Sequence, residues 1–432
     1  MKLSVYLLFM VSLSGMTGCT DTCKETRTFR RYSPVSFTTA QVRQARVESG
    51  RPLIKPGKIY TKDGYLFINE LKEGIHIIDN RNPTAPKTVA FLRIPGNGDI
   101  AIRDNVLYAD SYMDLLAFDI SNLSNIRVVK RVEAVFQNGI FEGAYWAYNA
   151  QSGIISDQTV DYVTETVETD CEEDVTPRNG WFWNRGFVTS QFASADVSQT
   201  NTTNGVAGSM ARFALYDKYL YTINSAEMQL FDIKNPANPE VGNKIQMGWG
   251  IETIFPYKDK LFIGSQTGMY IYDNVNPEKP VQLSVFQHAR VCDPVVVHDN
   301  TAYVTLRSGT VCQGFTNQLD VIDITSLTSP RLLRSFPMKN PHGLGVDFPN
   351  LFVCEGAYGL KSFDARDPQN IDRNLLQHLE GMNAYDVIPL GTVNATKVLL
   401  MIGKDGFYQY DYQNPRQLRL LSKIPVSRPT YY

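Results

Sequence analysis

Seven residues fall at one recurring position of this chain and carry most of its chemical variety: Lys58, Asp99, Arg212, Glu252, Asp293, His342 and Asp386. Cations facing carboxylates around one opening either bind a polar uncharged ligand such as a glycan or pair with one another. His342 beside Asp293, Asp386 or Glu252 has the makings of an acid–base pair. Two carboxylates at glycosidase spacing would cleave a glycosidic bond. A second recurring position adds Glu70, Asp110, Glu227, Gln266, Arg307, Glu355, Tyr358 and Lys404. The aromatic residues Tyr145, Trp146, Tyr148, Trp181, Phe182 and Trp183 either stack on sugar rings, led by Trp181 and Trp183, or form a small core of their own.

Motif searches narrow this chemistry without completing it. No GxSxG elbow or HExxH pair occurs, and no CxxC spacing marks a zinc site. The five histidines form no ligand pair at helical or alternating-strand spacing. Asp170, Glu172, Glu173 and Asp174 lack the Asx-and-Gly alternation of a calcium loop and read as a solvated charge run. "GNGDIA" at Gly96 lacks the third glycine of a dinucleotide turn. No catalytic residue, metal or cofactor is therefore assigned. A net charge of −2 with no basic stripe argues against nucleic acid or an anionic membrane surface as the main partner.

The elements that must position these residues are written as a repeat. A hydrophobic run, a polar turn and a second hydrophobic run ending in aspartate recur seven times, with Asp79, Asp119, Asp232, Asp273, Asp323, Asp364 and Asp411 as markers. Four of the six gaps between markers are 40, 41, 41 and 47 residues, the length of one four-stranded propeller blade. Period-two alternation supplies four short runs per unit, such as Asp99–Ile102, Val106–Ala109, Leu115–Asp119 and Arg127–Val132 in the second. So short a sheet has two faces to bury and needs neighbours on both. The expected fold is all-β: a seven-bladed β-propeller of four-stranded antiparallel blades over residues 53–426, interrupted by a long inter-blade insertion at 137–208. In that geometry first-strand starts and second-to-third turns share one mouth, and the insertion caps it.

The units resemble the LVIVD-repeat family of bacterial envelope proteins, most clearly in "LDVIDI" at Leu319–Ile324, with "VCDPVVVHDNTAYVTLRSG" and "GSMARFAL" similar to lipoprotein members. The resemblance implies a β-propeller on the cell envelope and brings no catalytic residues. Its address agrees with the N-terminus. Lys2 and the apolar run Leu3 to Leu13 lead to Met16-Thr17-Gly18-Cys19, which resembles a bacterial lipoprotein cleavage box with Cys19 as the acylated residue. Residues 1–18 then form a signal peptide, 19–52 a polar tether with a short helix near Thr39 to Glu48, and 427–432 a tail. Lipid would be the only membrane anchor, placing the chain in the bacterial envelope, at the outer membrane.

Cys292 and Cys312 fall at the mouth positions of one unit, so a disulfide between them is geometrically reasonable. It would close a loop of about twenty residues and stabilise by about 3 kcal/mol. The pairing of Cys23, Cys171 and Cys354 stays open. The function expected is a non-enzymatic binding module for an envelope protein partner or a glycan at the capped face. The alternatives are an enzyme acting on a polysaccharide or glycopeptide through the mouth, and a structural scaffold of an envelope complex.

Overall fold

The structure is a computed structural model that describes residues 22–141, 143–170, 206–207, 209, 211–288, 294–307, 317–393 and 396–427. The expected sites Cys19, Cys171, Trp181, Trp183, Cys292, Asp293 and Cys312 lie outside the described residues, as does the signal segment 1–18.

Each of the seven repeats folds into its own antiparallel sheet, with strands hydrogen-bonded in sequence order. The second is typical: Ile100–Arg103, Val106–Ser111, Asp114–Asp119 and Arg127–Val132, each within one or two residues of the bounds set by alternation. Burial falls from the first strand to the fourth. Ile100, Ala101 and Ile102 are inaccessible, whereas Arg127 and Val128 are exposed. First strands are covered on both faces, so they read as apolar runs, and fourth strands are edges. Between third and fourth strands every repeat carries a bulge, for example at Val128/Lys130 and Gln409/Tyr410. Such bulges twist an exposed edge away from further pairing.

The marker aspartates have one job in all seven repeats. Each Oδ1 accepts the backbone N–H two residues on, at 2.8–3.4 Å, from Arg81, Ser121, Lys234, Val275, Thr325, Arg366 and Gln413. This is an Asx turn, in which a short carboxylate replaces a backbone acceptor. In six repeats the residue after the aspartate then donates to the turn between first and second strands, as Asn80 N–H to the Gly64 carbonyl and Ile120 N–H to the Asn105 carbonyl, and in the seventh Tyr412 N–H donates to the Lys397 carbonyl at the start of the second strand. Each carboxylate also pairs with a nearby cation, from Arg81 with Asp79 to Arg419 with Asp411.

Side chains stitch each sheet to the next. Lys58 pairs with Asp99, and Asn69 Nδ2 donates to Asn97 Oδ1 at 2.6 Å. Tyr108 donates to the Pro236 carbonyl, Tyr221 to Pro277, Ser284 to Leu327, Arg334 to Gln369 and Ser362 to Pro415. The series returns to its start: Ser422 Oγ donates to the Pro83 carbonyl, and Asn80 and Gln409 exchange two side-chain bonds of 2.8 and 2.6 Å. Ile59, Leu66 and Ile68 of the first repeat share a core with Ile388, Val398 and Leu400 of the seventh. The seventh sheet uses its own fourth strand, Arg419–Pro425, and a parallel bridge between Leu53 and Val426 adds to the seam.

From Thr22 onward the segment before the repeats carries regular secondary structure. Thr22–Thr38 is a strand pairing along its length with Ile154–Asp170, from Thr22 opposite Asp170 to Thr38 opposite Ile154. The helix is one turn, Thr39–Val42, closed by a Thr38–Gln41 capping box, and Arg46–Glu48 then adds to the outer edge of the first repeat. Threonines and arginines on both strand faces hide the alternation, and a partner more than a hundred residues away leaves no local trace. With Asn138–Phe141 and Ala144–Asn149, these two long strands make an eighth, accessory sheet. Tyr112 and Met113, in a turn of the second repeat, pack into its core against Val42, Phe141, Trp146 and Ile155.

Candidate functional site

The site begins in the second repeat. Asp110, near the end of Val106–Ser111, folds the preceding loop over itself: its Oδ1 accepts Gly98 N–H at 2.7 Å, Asp99 N–H at 2.9 Å and Asn97 Nδ2 at 2.8 Å. Burial pushes its carboxyl up to about 6 despite these donors. Among the described residues its other oxygen, Oδ2, takes no hydrogen bond.

Asp99 has a different role. It is buried, pairs with Lys58, and its Oδ2 accepts the N–H groups of Arg212 and Phe213, the latter at 3.1 Å. One carboxylate thereby joins the first three repeats. Burial lowers the Lys58 ammonium, and Asp99 opposes that by attraction. These two expected mouth residues satisfy each other.

Arg212, beside Asp99, sends Nη1 to the Ile140 carbonyl of the accessory sheet at 3.2 Å. It makes no ion pair among the described residues. Glu252 follows on the next repeat, where Gln266 Nε2 donates to it at 3.0 Å and burial raises its carboxyl. Asp99, Asp110, Arg212, Glu252 and Gln266 line one side of a cleft of about 360 Å³. Ile140, Phe141, Tyr145 and Trp146 of the accessory sheet line the other, with Trp249 at its rim.

The remaining expected residues divide. His342 is buried against Arg307, accepts or donates with Asn340 at 3.2 Å, and lies 5.3 Å from the Tyr385 ring. Burial first and Arg307 second hold it well below its usual range, so near neutral pH it is an uncharged hydrogen-bonding partner. Burial also lowers Arg307, to about 10. Asp386 is inaccessible and pressed against Gly343, where a Cβ would stand 2.0 Å from its Oδ1. His342 and Asp386 thus sit behind the surface rather than on the cleft. Glu70 is buried with His76 at 2.8 Å, Glu355 is buried with Lys361, and Glu227 pairs outward with Lys244 at 3.1 Å. Tyr358 lies under Lys339, and Lys404 lines a separate shallow hollow with Asp405.

Of the aromatic group, Trp146 is 4% exposed and belongs to the accessory core, whereas Tyr145 is 54% exposed. Trp249, at 65%, is a site residue the composition of the insertion does not point to. Its signal is "GWG" on the connection between the third and fourth repeats. Gly250 there adopts φ +75°, and a Cβ on Gly248 would meet the Tyr270 hydroxyl at 2.1 Å. Cys354 is a free, buried thiol.

Comparison with curated proteins finds no match. Among solved structures the chain is similar to the computationally designed Ika8 protein, at 9% identity over 88% of this chain and 92% of that one, with a TM-score of 0.50. It is also similar to Hsv2p of Kluyveromyces lactis, at 11% identity over 88% of this chain and 100% of that one, with a TM-score of 0.46. The first of these likenesses bears on the fold alone. The LVIVD repeat, linked to β-propellers, is matched over residues 97–134 and 292–337, which hold the second repeat with its Asp99 and Asp110 and the whole of the fifth.

Proposed function

We propose that the chain is a seven-bladed β-propeller acting as a non-enzymatic binding module, with its ligand, a protein partner or a glycan, held in the cleft between the first-strand starts and the accessory sheet. The accessory sheet serves as the cap. The observation that carries this reading is the cleft itself, lined by polar groups from three repeats together with exposed aromatic rings. Lys58, Asp99 and His342 are occupied with one another or with their surroundings, which favours binding over acid–base chemistry through His342. The raised carboxyls of Asp110 and Glu252 favour a second reading, an enzyme cleaving a polysaccharide or glycopeptide at this cleft. Release of reducing ends from a bound glycan would establish that alternative.

The address remains as the N-terminal residues suggest: export, acylation at Cys19 and attachment to the bacterial outer membrane. Labelled fatty acid should enter the wild type and be lost in Cys19→Ala. The binding reading is tested with a photo-crosslinking residue placed at position 249 or 145 in living cells, against one at Val275, which is exposed beside a marker aspartate. Adducts at 249 and 145 with none at 275 are expected. Equal or absent crosslinking at all three would remove the cleft from consideration.

A further inference from the structure

We infer that the cleft takes a neutral oligosaccharide, seating a pyranose ring against Trp249 and Tyr145 while Asp110 Oδ2 and the Arg212 guanidinium bind its hydroxyls. This rests on the reading of the cleft as the ligand site and names what fills it. Sugars present an apolar CH face and a rim of hydroxyls that both donate and accept. The cleft offers the complement: two rings exposed by more than half, and, among the described residues, a carboxylate oxygen with no hydrogen bond and a guanidinium bonded through Nη1 alone.

Charge and size both select against other occupants. The lining carboxylates are Asp99, Asp110 and Glu252, and the lining arginines are Arg30 and Arg212. Asp99 is neutralised by Lys58, so the remaining charges balance and favour neither an anion nor a cation. A volume of about 360 Å³ lies near the lower end of the ~300–1,000 Å³ range of small-ligand sites. A stable protein interface instead covers about 800 Å² on each partner.

The test is calorimetric titration of the full chain with maltohexaose, cellohexaose, mannohexaose and chitohexaose, with trigalacturonate as the anionic comparison. At least one neutral hexasaccharide should bind saturably. Trp249→Ala should weaken it by at least about tenfold, and Asp110→Asn and Arg212→Ala by a smaller factor. Val275→Ala should change nothing, and circular dichroism should show all variants folded. Tighter binding of trigalacturonate, or neutral binding that survives Trp249→Ala and Arg212→Ala unchanged, overturns the inference. If no neutral saccharide binds while the crosslinker at 249 captures a protein, the cleft remains a ligand site and the sugar assignment falls. If neither occurs, both fall.

Discussion

The two ends of the repeat sheets are made by the same seven sequence units, yet they obey different rules. At the end carrying the marker aspartates, the same turn is built seven times, with one acceptor, one amide two residues on and one surface cation. At the opposite end, aligned positions hold Lys58, Asp99, Arg212, Glu252, His342 and Asp386, and apart from the N–H of the next residue that Asp99 and Asp386 each accept, their partners differ from one to the next. Regularity is what a closed array needs at every joint. A ligand needs the opposite, because one face of identical residues would present no distinct polar pattern. The residues that recur most are therefore structural, and those that break the repeat are the candidates for binding.

Substitutions can break or sharpen this contrast. The largest effect is expected at Lys58→Met, which strands the Asp99 carboxylate inside the proposed ring. Loss of one partner of a buried pair costs about 3–5 kcal/mol, and chemical denaturation should show it. If stability is unchanged, the Lys58–Asp99 pair is not the joint described here.

Next in size is Asp110→Asn, through its pH dependence. A carboxyl held up at about 6 when folded and near 3.8 when unfolded binds its proton more tightly in the native state. That group's contribution is most favourable below about pH 4 and is lost as pH rises to about 6. The variant lacks this loss, so its stability relative to wild type should rise between pH 4 and 6 and then level off, by on the order of 3 kcal/mol. Melting curves at several pH values check the window, and a constant difference across it would contradict the burial of Asp110.

On the regular end, Asp411→Ala removes an Asx-turn acceptor and the Arg419 pair, and should cost about 1 kcal/mol by analogy with lost helix caps. Asp411→Asn keeps the Oδ1 acceptor and should cost less. Equal losses for the two would assign the stabilisation to charge instead of the turn. The smallest effect on stability is Trp249→Ala, within about ±0.5 kcal/mol for an exposed ring. A large loss there would make Trp249 part of the core and weaken its claim on a ligand.

The repeats were legible because aspartate, asparagine and proline at turns act locally and leave period-two alternation between them. Arg127–Val132 was delimited to the residue, and its three companion strands nearly so. Thr22–Thr38 was not legible, because its pairing with Ile154–Asp170 is long-range and both strands are polar. Aligned position alone placed seven residues at one mouth, but burial decides which of them reach it. His342 and Asp386 occupy the expected strand starts and are sealed behind Arg307 and Gly343. Trp249 lies on a connection between units, outside the repeating positions, so no periodic signal marks it.

The most direct test of the account is 19F NMR of the chain labelled with 5-fluorotryptophan, which reports on four tryptophans at once. The Trp249 resonance is assigned by its loss in Trp249→Phe. On titration with whichever neutral hexasaccharide binds, that resonance should shift saturably with the calorimetric affinity, and in Asp110→Asn the same shift should need a higher concentration, by the factor calorimetry gives for that variant. Saturable binding that leaves the Trp249 resonance unmoved would place the ligand elsewhere and contradict the account.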